Sequence, residues 1–190
     1  MEKTCICRFI LVCQAAFLIA GCAGPHTAFI KDPGTAEQLG IHSIKAIVIY
    51  DSWSGNTQAV AQVLAEEMNC PAVKVDDAAE YTFKDYDLLV VGSPVHGGRP
   101  TGKISAFLSK LEPPRASAVF VTFGAPLFGP ASASICLDYM EKKLSNTSIG
   151  RFRCNGFHRI FRTYPDHPDE KDKADAAEFA GSLMILCAQE

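Results

Sequence analysis

Short apolar runs alternate along the chain with segments whose apolar residues recur at helical spacing. Five runs have the apolar or β-branched character of strands: residues 45–50, 71–75, 86–91, 118–123 and 150–154. Between them, apolar residues three and four positions apart predict amphipathic helices, as at Ile104, Phe107, Leu108 and Leu111. Continuous runs are typical of strands covered on both faces, whereas the alternating run at 150–154 predicts a short outer strand. The pattern predicts five strands and about four helices in alternation.

This alternation sets the expected fold class. Strands joined through helices need right-handed crossovers and lie parallel in one sheet. We therefore expect an α/β domain of three layers, in which a doubly wound, five-stranded parallel sheet lies between two layers of helices. Ligands of such sheets bind at the carboxyl ends of the strands, where the strand order switches. The candidate site is thus formed by the loops after the first, third and fourth strands, which are residues 51–57, 93–99 and 124–129.

The first 22 residues have the pattern of an export signal. Lys3 and Arg8 precede an apolar run of about 12 residues, 9–20, which is too short to span a bilayer. The run ends in Leu-Ile-Ala-Gly-Cys, which resembles a bacterial lipobox, whose cysteine receives a diacylglycerol. This resemblance implies a signal peptide at 1–21, a lipidated Cys22 with a tether at 22–42, and a folded domain at 43–190. A signal cleaved elsewhere and an apolar N-terminal helix of a cytosolic protein are the alternatives.

Composition and charge narrow the function classes. The 190 residues are 48% hydrophobic and 21% charged, which suits one globular domain with a short extension. The formal net charge of −3 and a pI of about 5.9 argue against a nucleic-acid partner, because such a partner needs a basic face.

The remaining cysteines and histidines indicate neither a metal site nor a catalytic side chain. Cys70, Cys136, Cys154 and Cys187 follow the signal, and their disulfide state is left open by the sequence. Cys136 and Cys187 fall on apolar faces of predicted helices, which favours buried thiols. No cysteine pair has metal-ligand spacing, the five histidines are dispersed, and no serine lies in a nucleophile-elbow motif.

The first candidate loop carries the chemistry of a phosphate site. Residues 52–57 place three hydroxyls, an amide and a glycine directly before a predicted helix. Backbone N–H groups at a helix start bind phosphate, and the helix dipole favours its negative charge. The loop contains no Lys or Arg and no G-x-G-x-x-G pattern, so it differs from nucleoside-triphosphate and dinucleotide loops. We expect a terminal monophosphate.

Three segments resemble the flavodoxin family. Residues 48–57, with Ala61 and Leu64, are similar to its signature of an apolar pair, an aromatic residue and S-x-x-G-x-T. Residues 92–100, Gly-Ser-Pro-Val-His-Gly-Gly-Arg-Pro, resemble the second flavin loop of its small members, and the likeness continues through 164–169. The resemblance covers residues 44–185 and implies a flavodoxin-like fold with the strand order 2-1-3-4-5.

The resemblance implies flavin mononucleotide (FMN), bound noncovalently. Its phosphate is expected in the first loop, its isoalloxazine ring between the second and third loops, and its pyrimidine edge against the backbone of the third. Two glycines in the second loop are expected to adopt positive φ. The implied cofactor-binding residues are Ser52, Trp53, Ser54, Gly55, Asn56, Thr57, Pro94, Val95, His96, Gly97, Gly98, Thr122, Phe123, Gly124 and Phe128. His96 stands where the family has Tyr or Trp, and the third loop offers Phe128 instead of Tyr.

A basic cluster near the predicted fifth strand has several interpretations. It consists of Arg151, Arg153, His158, Arg159 and Arg162. An acidic redox partner, a lipid head group or a dinucleotide phosphate fits these charges, and so does a solvated edge strand.

The function expected from these features is electron transfer by a lipid-anchored FMN protein, without a catalytic side chain. We expect a monomer on the extracytoplasmic face of the cell membrane, with a redox protein or a membrane quinone as its partner. Two alternatives stay open. One is an FMN-dependent NAD(P)H or quinone oxidoreductase, and the other is a flavin-free scaffold that acts as a binding protein.

Overall fold

The computed structural model describes residues 44–146 and 148–189, and the backbone of residues 27–30. The elements in chain order are β1 (Thr27–Ile30), β2 (Ala46–Tyr50), α1 (Asn56–Glu67), β3 (Ala72–Lys74), β4 (Leu88–Pro94), α2 (Gly102–Lys110), β5 (Ala116–Phe123), α3 (Gly129–Lys143), β6 (Ser148–Asn155) and α4 (Glu170–Gln189). Two 3₁₀ helices, Val75–Glu80 and Phe83–Asp85, connect β3 to β4. The predicted signal, Cys22 and most of the predicted tether lie outside the described residues.

The strands form one sheet in the order β1-β6-β5-β4-β2-β3. The five strands from β2 to β6 run parallel. Numbered among themselves they have the order 2-1-3-4-5, so the predicted doubly wound sheet is confirmed. β4 and β5, which lie inside the sheet, are almost entirely buried, as their continuous apolar runs predict.

The sixth strand, β1, is not among the strands that the sequence predicts. Thr27–Ile30 lies within the segment assigned to the tether, yet it pairs antiparallel with β6. The pairing of β1 depends on the open edge that β6 presents, and that strand lies far away in the sequence. β6 is therefore not the outer strand that the alternation at 150–154 predicts, because β1 covers it.

Two helical layers bury the two faces of the sheet. α1 and α4 pack against each other and enclose one apolar cluster, which includes Leu64, Phe152 and Phe179. α2 and α3 cover the other face, where the cluster includes Ile104 and Leu137. Within the described ranges, none of the helices is long and apolar enough to cross a membrane.

Two local features depart from or refine the predicted pattern. α3 begins at Gly129, the last residue of the third candidate loop, and Pro130 in its first turn suits a helix N-terminus. The four cysteines of the described chain are free thiols, and Cys136 and Cys187 are buried as predicted.

The carboxyl end of β4 approaches its neighbour closely. Gly92 of β4 lies opposite Phe120 of β5. A Cβ atom built on Gly92 would lie 2.0 Å from the Phe120 ring. The absence of a side chain at this position lets the ring fill the space beneath the loops that follow β4 and β5.

Candidate functional site

The first loop presents the start of α1 toward the carboxyl edge of the sheet. Gly55 is the N-cap residue, with φ at +89°, and no side chain caps the helix. Its N–H donates to Ser52 Oγ at 3.2 Å, and Asn56 Nδ2 donates to Ser54 Oγ at 3.1 Å. The first N–H groups of a helix have no intrahelical acceptor. They are therefore available to an anion at this point, as the sequence predicts.

Thr57 joins the first loop to the strand beneath it. Its Oγ1 lies 2.9 Å from Thr122 Oγ1 of β5, and both side chains are buried. This hydroxyl pair fixes the start of α1 over the end of β5. The two threonines that the sequence analysis assigns to the cofactor thus satisfy each other.

Asp51, at the end of β2, places a buried carboxylate under the first loop. Its Oδ1 accepts a hydrogen bond from the Ser52 N–H at 2.9 Å. Its Oδ2 is buried and has no hydrogen-bond partner among the described residues. Asp51 belongs to the first candidate loop but is not among the predicted cofactor-binding residues.

The second loop is a tight turn. The His96 and Arg99 backbones exchange hydrogen bonds at 2.9 and 3.0 Å. Gly97 and Gly98 between them have φ values of +57° and +78°, which confirms the predicted positive φ. Two central residues with positive φ are typical of a type I′ turn. The turn holds the His96 side chain at the mouth of the site.

An aromatic contact bridges the first and second loops. The ring centroids of Trp53 and His96 are 4.2 Å apart, at 33° between planes, and Trp53 is 71% exposed. Burial lowers the pKa of His96, and the positive charge of His158 lowers it further, whereas Asp51 raises it. The neutral imidazole is therefore favoured at neutral pH, so a permanent positive charge is not expected at the mouth of the site.

The loop that follows β6 completes the site, although it is not among the three loops that the sequence predicts. Asn56 Nδ2 donates to the Phe157 carbonyl at 2.9 Å, which ties this fourth loop to the first. A Cβ on Gly156 would lie 2.7 Å from Asn56 Nδ2, and one on Gly124 would lie 2.6 Å from His158 Cβ. The fifth parallel strand also ends at this edge of the sheet. Applying the edge rule to it, together with the glycine at 156, would have found this loop.

These four loops enclose a cleft of about 660 Å³. It is lined by Trp53, Ser54, Asn56, Pro94, Val95, His96, Thr122, Phe123, Gly124, Gly156, Phe157, His158, Arg159 and Ile160. Of the other predicted residues, Ser52, Gly55 and Thr57 lie in or under the first loop, and Gly97 and Gly98 form the second-loop turn. Phe128 is the N-cap of α3, is 71% exposed and lies outside the cleft lining.

The residues present fit FMN. The cleft has a volume within the usual range for small-molecule sites and combines apolar walls with a few polar groups. The uncapped start of α1 matches a phosphate, and the space around Gly55 is open, since a Cβ there would meet no atom within 4 Å.

The predicted basic cluster divides into two parts. Arg151 pairs with Asp138 and Glu141 of α3, and Arg153 donates to the Pro130 carbonyl and to Ser134 Oγ. These two arginines fasten α3 to β6. Arg159 and Arg162 lie in the fourth loop and are exposed.

Two other features lie outside the cleft lining. A cleft of about 680 Å³ lies between α2 and the 3₁₀ helices and holds the Lys103–Asp76 ion pair, but none of the predicted site residues lines it. His167, Asp169 and Asp172 have potential metal-ligand atoms within 4.8 Å of one another. The backbone N–H groups of the two aspartates donate to each other's carboxylates at 2.8 Å, an arrangement that caps α4.

A family model described as a flavodoxin domain matches residues 47–156. The chain belongs to the flavodoxin domain family. An uncharacterized protein of Methanocaldococcus jannaschii is 30% identical over 117 residues, which cover 60% of this chain and 77% of that protein.

Solved flavodoxins share the fold. A flavodoxin from the domain Archaea is 17% identical with a TM-score of 0.58, covering 77% of this chain and 100% of that one. A mutant flavodoxin of Fusobacterium nucleatum bound to flavin mononucleotide is 11% identical with a TM-score of 0.53, covering 75% of this chain and 97% of that one.

The match to the flavodoxin domain model spans β2 to Gly156 and so contains the first three loops of the site. β1 and most of the fourth loop lie beyond it.

Proposed function

We propose that the protein binds FMN in the cleft and passes electrons, as a carrier anchored by a lipid on Cys22 at the extracytoplasmic face of a membrane. The observation that best supports FMN binding is the uncapped start of α1 at Gly55, which offers N–H groups to a phosphate at the mouth of the cleft. Membership of the flavodoxin domain family and the fold shared with a flavodoxin bound to FMN support it.

The chain's own residues have distinct tasks in this proposal. The N–H groups of the first loop and the Ser54 hydroxyl bind the phosphate, with charge-assisted hydrogen bonds in place of a lysine. Trp53 and His96 shield one side of the cleft from water, and the fourth loop closes the other. Bound FMN supplies the redox chemistry, whereas the protein supplies binding, orientation and electrostatics.

A visible absorption spectrum tests cofactor binding directly. The purified protein is mixed with excess FMN, filtered to remove free flavin and then photoreduced in steps. We expect retained flavin absorbance and a long-wavelength band that appears and then disappears, because a carrier accepts electrons one at a time. Gly55→Val should lose the flavin, since φ at +89° is unfavourable for a β-branched residue. A colourless filtered protein would overturn the FMN proposal and leave the flavin-free binding protein.

Added NADH or NADPH separates the carrier from an oxidoreductase. A carrier should leave bound flavin oxidised when either nucleotide is added without a second protein. Rapid bleaching directly to the two-electron form would instead support the oxidoreductase.

The lipid anchor has a separate test. Cys22→Ser should abolish incorporation of labelled palmitate and release the protein from the membrane fraction.

A further inference from the structure

The exposed apolar side chains of the described residues gather at one end of the molecule. Six large apolar side chains of that part of the chain are 57% to 83% exposed. We call them the apolar rim: Trp53, Leu127, Phe128, Ile135, Ile160 and Phe161. Five lie in loops at the carboxyl ends of the parallel strands, and Ile135 lies beside the second loop, close to Gly98. A concentration of exposed apolar side chains at one end of a protein is typical of an interaction site.

The opposite end of the sheet has a different surface. There the amino ends of the strands carry Lys45, Asp87, Glu112 and Arg115, with Lys110 nearby. None of the exposed large apolar side chains in the described ranges lies at that end. The contrast gives the molecule one apolar end and one charged end.

The fourth loop projects the apolar rim outward on a small hairpin. His158 N–H donates to the Thr163 carbonyl at 3.1 Å, which closes a tip with the sequence Arg159-Ile160-Phe161-Arg162. All four tip residues are exposed. Two apolar side chains between two arginines suit a bilayer interface, where acyl chains meet phosphate head groups.

The direction of β1 brings the N-terminal segment to the same end. Thr27 pairs with Arg153 near the carboxyl end of β6, whereas Ile30 pairs with Gly150 further back. The chain before Thr27 therefore leaves the sheet at the end that carries the apolar rim. Cys22 precedes Thr27 by five residues. Five residues span at most about 18 Å, so a lipid on Cys22 would hold this end close to the bilayer.

We propose that the apolar rim contacts a phospholipid bilayer, with Ile160 and Phe161 in the interface and Arg159 and Arg162 on anionic head groups. The proposal rests on the lipid anchor of the proposed function. The cofactor cleft then opens toward the membrane, because Trp53 and Ile160 belong both to its lining and to the rim. A bilayer fits better than a protein, since the anchor alone brings the rim within reach of lipid.

A nitroxide label tests the orientation of the rim. Phe161→Cys in a Cys70→Ser background receives the label in the lipidated holoprotein, reconstituted in vesicles of phosphatidylcholine and phosphatidylglycerol. Glu112→Cys at the charged end is the matched control. At position 161 we expect collisions with oxygen to rise and collisions with a water-soluble nickel complex to fall when vesicles are present. At position 112 the label should stay accessible to nickel.

The two arginines predict a dependence on lipid charge. Burial of the label at 161 should increase with the phosphatidylglycerol fraction, and Arg159→Gln/Arg162→Gln should remove that increase. Lys84→Gln/Lys110→Gln removes the same charge elsewhere on the surface and should leave the increase intact. An equal loss in both double variants would mean that net charge alone is responsible and would overturn the assignment of the arginines to head groups.

The outcomes separate this proposal from the one on which it rests. A lipidated protein whose label at 161 stays as accessible to nickel as the label at 112 would overturn the membrane-facing rim and leave it as a surface for a protein partner. Mass measurement that finds no lipid on Cys22 would overturn the anchor, and the rim proposal with it. A rim label that enters the bilayer in a protein without flavin would support the rim and overturn only the FMN proposal.

Discussion

Packing near the carboxyl edge of the sheet depends on the absence of a side chain at Gly92. Gly92 lies two residues before the end of β4, where any side chain would enter the space held by the Phe120 ring. Apolar runs in the sequence predict that β4 and β5 are buried, but they do not show which position faces a ring. The conflict depends on the register between β4 and β5, which only the structure gives.

Gly92→Ala is expected to destabilise the fold by about 1–3 kcal/mol, because a Cβ atom 2.0 Å from the Phe120 ring forces the core to shift. Chemical denaturation would measure this loss. Gly102→Ala is the matched control, since a Cβ there meets no atom within 4 Å and Gly102 begins α2. The control should be unchanged or more stable by up to about 1 kcal/mol. Equal destabilisation of both variants would contradict the packing argument.

His96 should titrate below the ordinary pKa of histidine, because burial disfavours its charged form. Trp53→Ala should move the pKa of His96 back toward 6.5 by opening it to water, whereas Asp51→Asn should lower it further by removing a negative charge. NMR titration of the imidazole resonances would follow both changes. An unchanged pKa of His96 in Trp53→Ala would show that the indole does not shield the ring.

The sign of the effect of His96 on stability follows from the same shift. The unfolded chain binds the proton more tightly than the folded protein does, so His96 lowers stability as the pH falls through 6.5 and costs nothing well above it. Urea unfolding at pH 7.5 and at pH 5.5 should therefore show a smaller difference in Trp53→Ala than in the original chain.

Some loops and strands of the molecule can be predicted from the local sequence, and others cannot. The five parallel strands follow from apolar runs of five or six residues in the sequence, and the first loop follows from hydroxyls and a glycine before a helix. β1 and the fourth loop do not, because β1 depends on pairing with β6, and the fourth loop on a contact with Asn56, about 100 positions away. Local patterns carry no information about such distant pairings.

Asn56 connects two of these loops, so Asn56→Ala should weaken FMN binding. The change removes the hydrogen bonds from the amide to Ser54 Oγ and to the Phe157 carbonyl. Loss of about 1.4 kcal/mol would raise the dissociation constant about tenfold. Quenching of FMN fluorescence on binding would measure it. Gln62→Ala, an exposed amide on the same helix, should bind FMN as before, and an equal loss there would point to α1 rather than to the contact between loops.

The described sheet joins an early segment of the chain to its last parallel strand. β1 supplies the only antiparallel pairing in the described sheet and closes the edge next to β6. Neighbouring residues of an edge strand direct their N–H groups alternately toward and away from the partner strand. One residue of any adjacent pair in β1 therefore donates to β6.

Ala28→Pro/Phe29→Pro should release β1, since proline has no N–H to donate. Amide hydrogen exchange of β6 should become faster, while the amides of β4, which lies between two other strands, keep their protection. Mass spectrometry of peptides from the two strands would compare them. Uniform acceleration in both strands would show that β1 supports the fold as a whole, and no change in β6 would contradict the pairing.

The antiparallel pairing of β1 also constrains the order in which the protein folds. Thr27 is made early in synthesis, but its partner Arg153 follows 126 positions later. Closing so long a loop is entropically costly and slow, so β1 joins the sheet only after the parallel strands have assembled. Until then β6 presents an unpaired edge, the kind of surface on which two nascent copies can pair with each other. We therefore expect β1, the first strand of the described sheet, to join last and to close an edge on which two copies of the chain can pair.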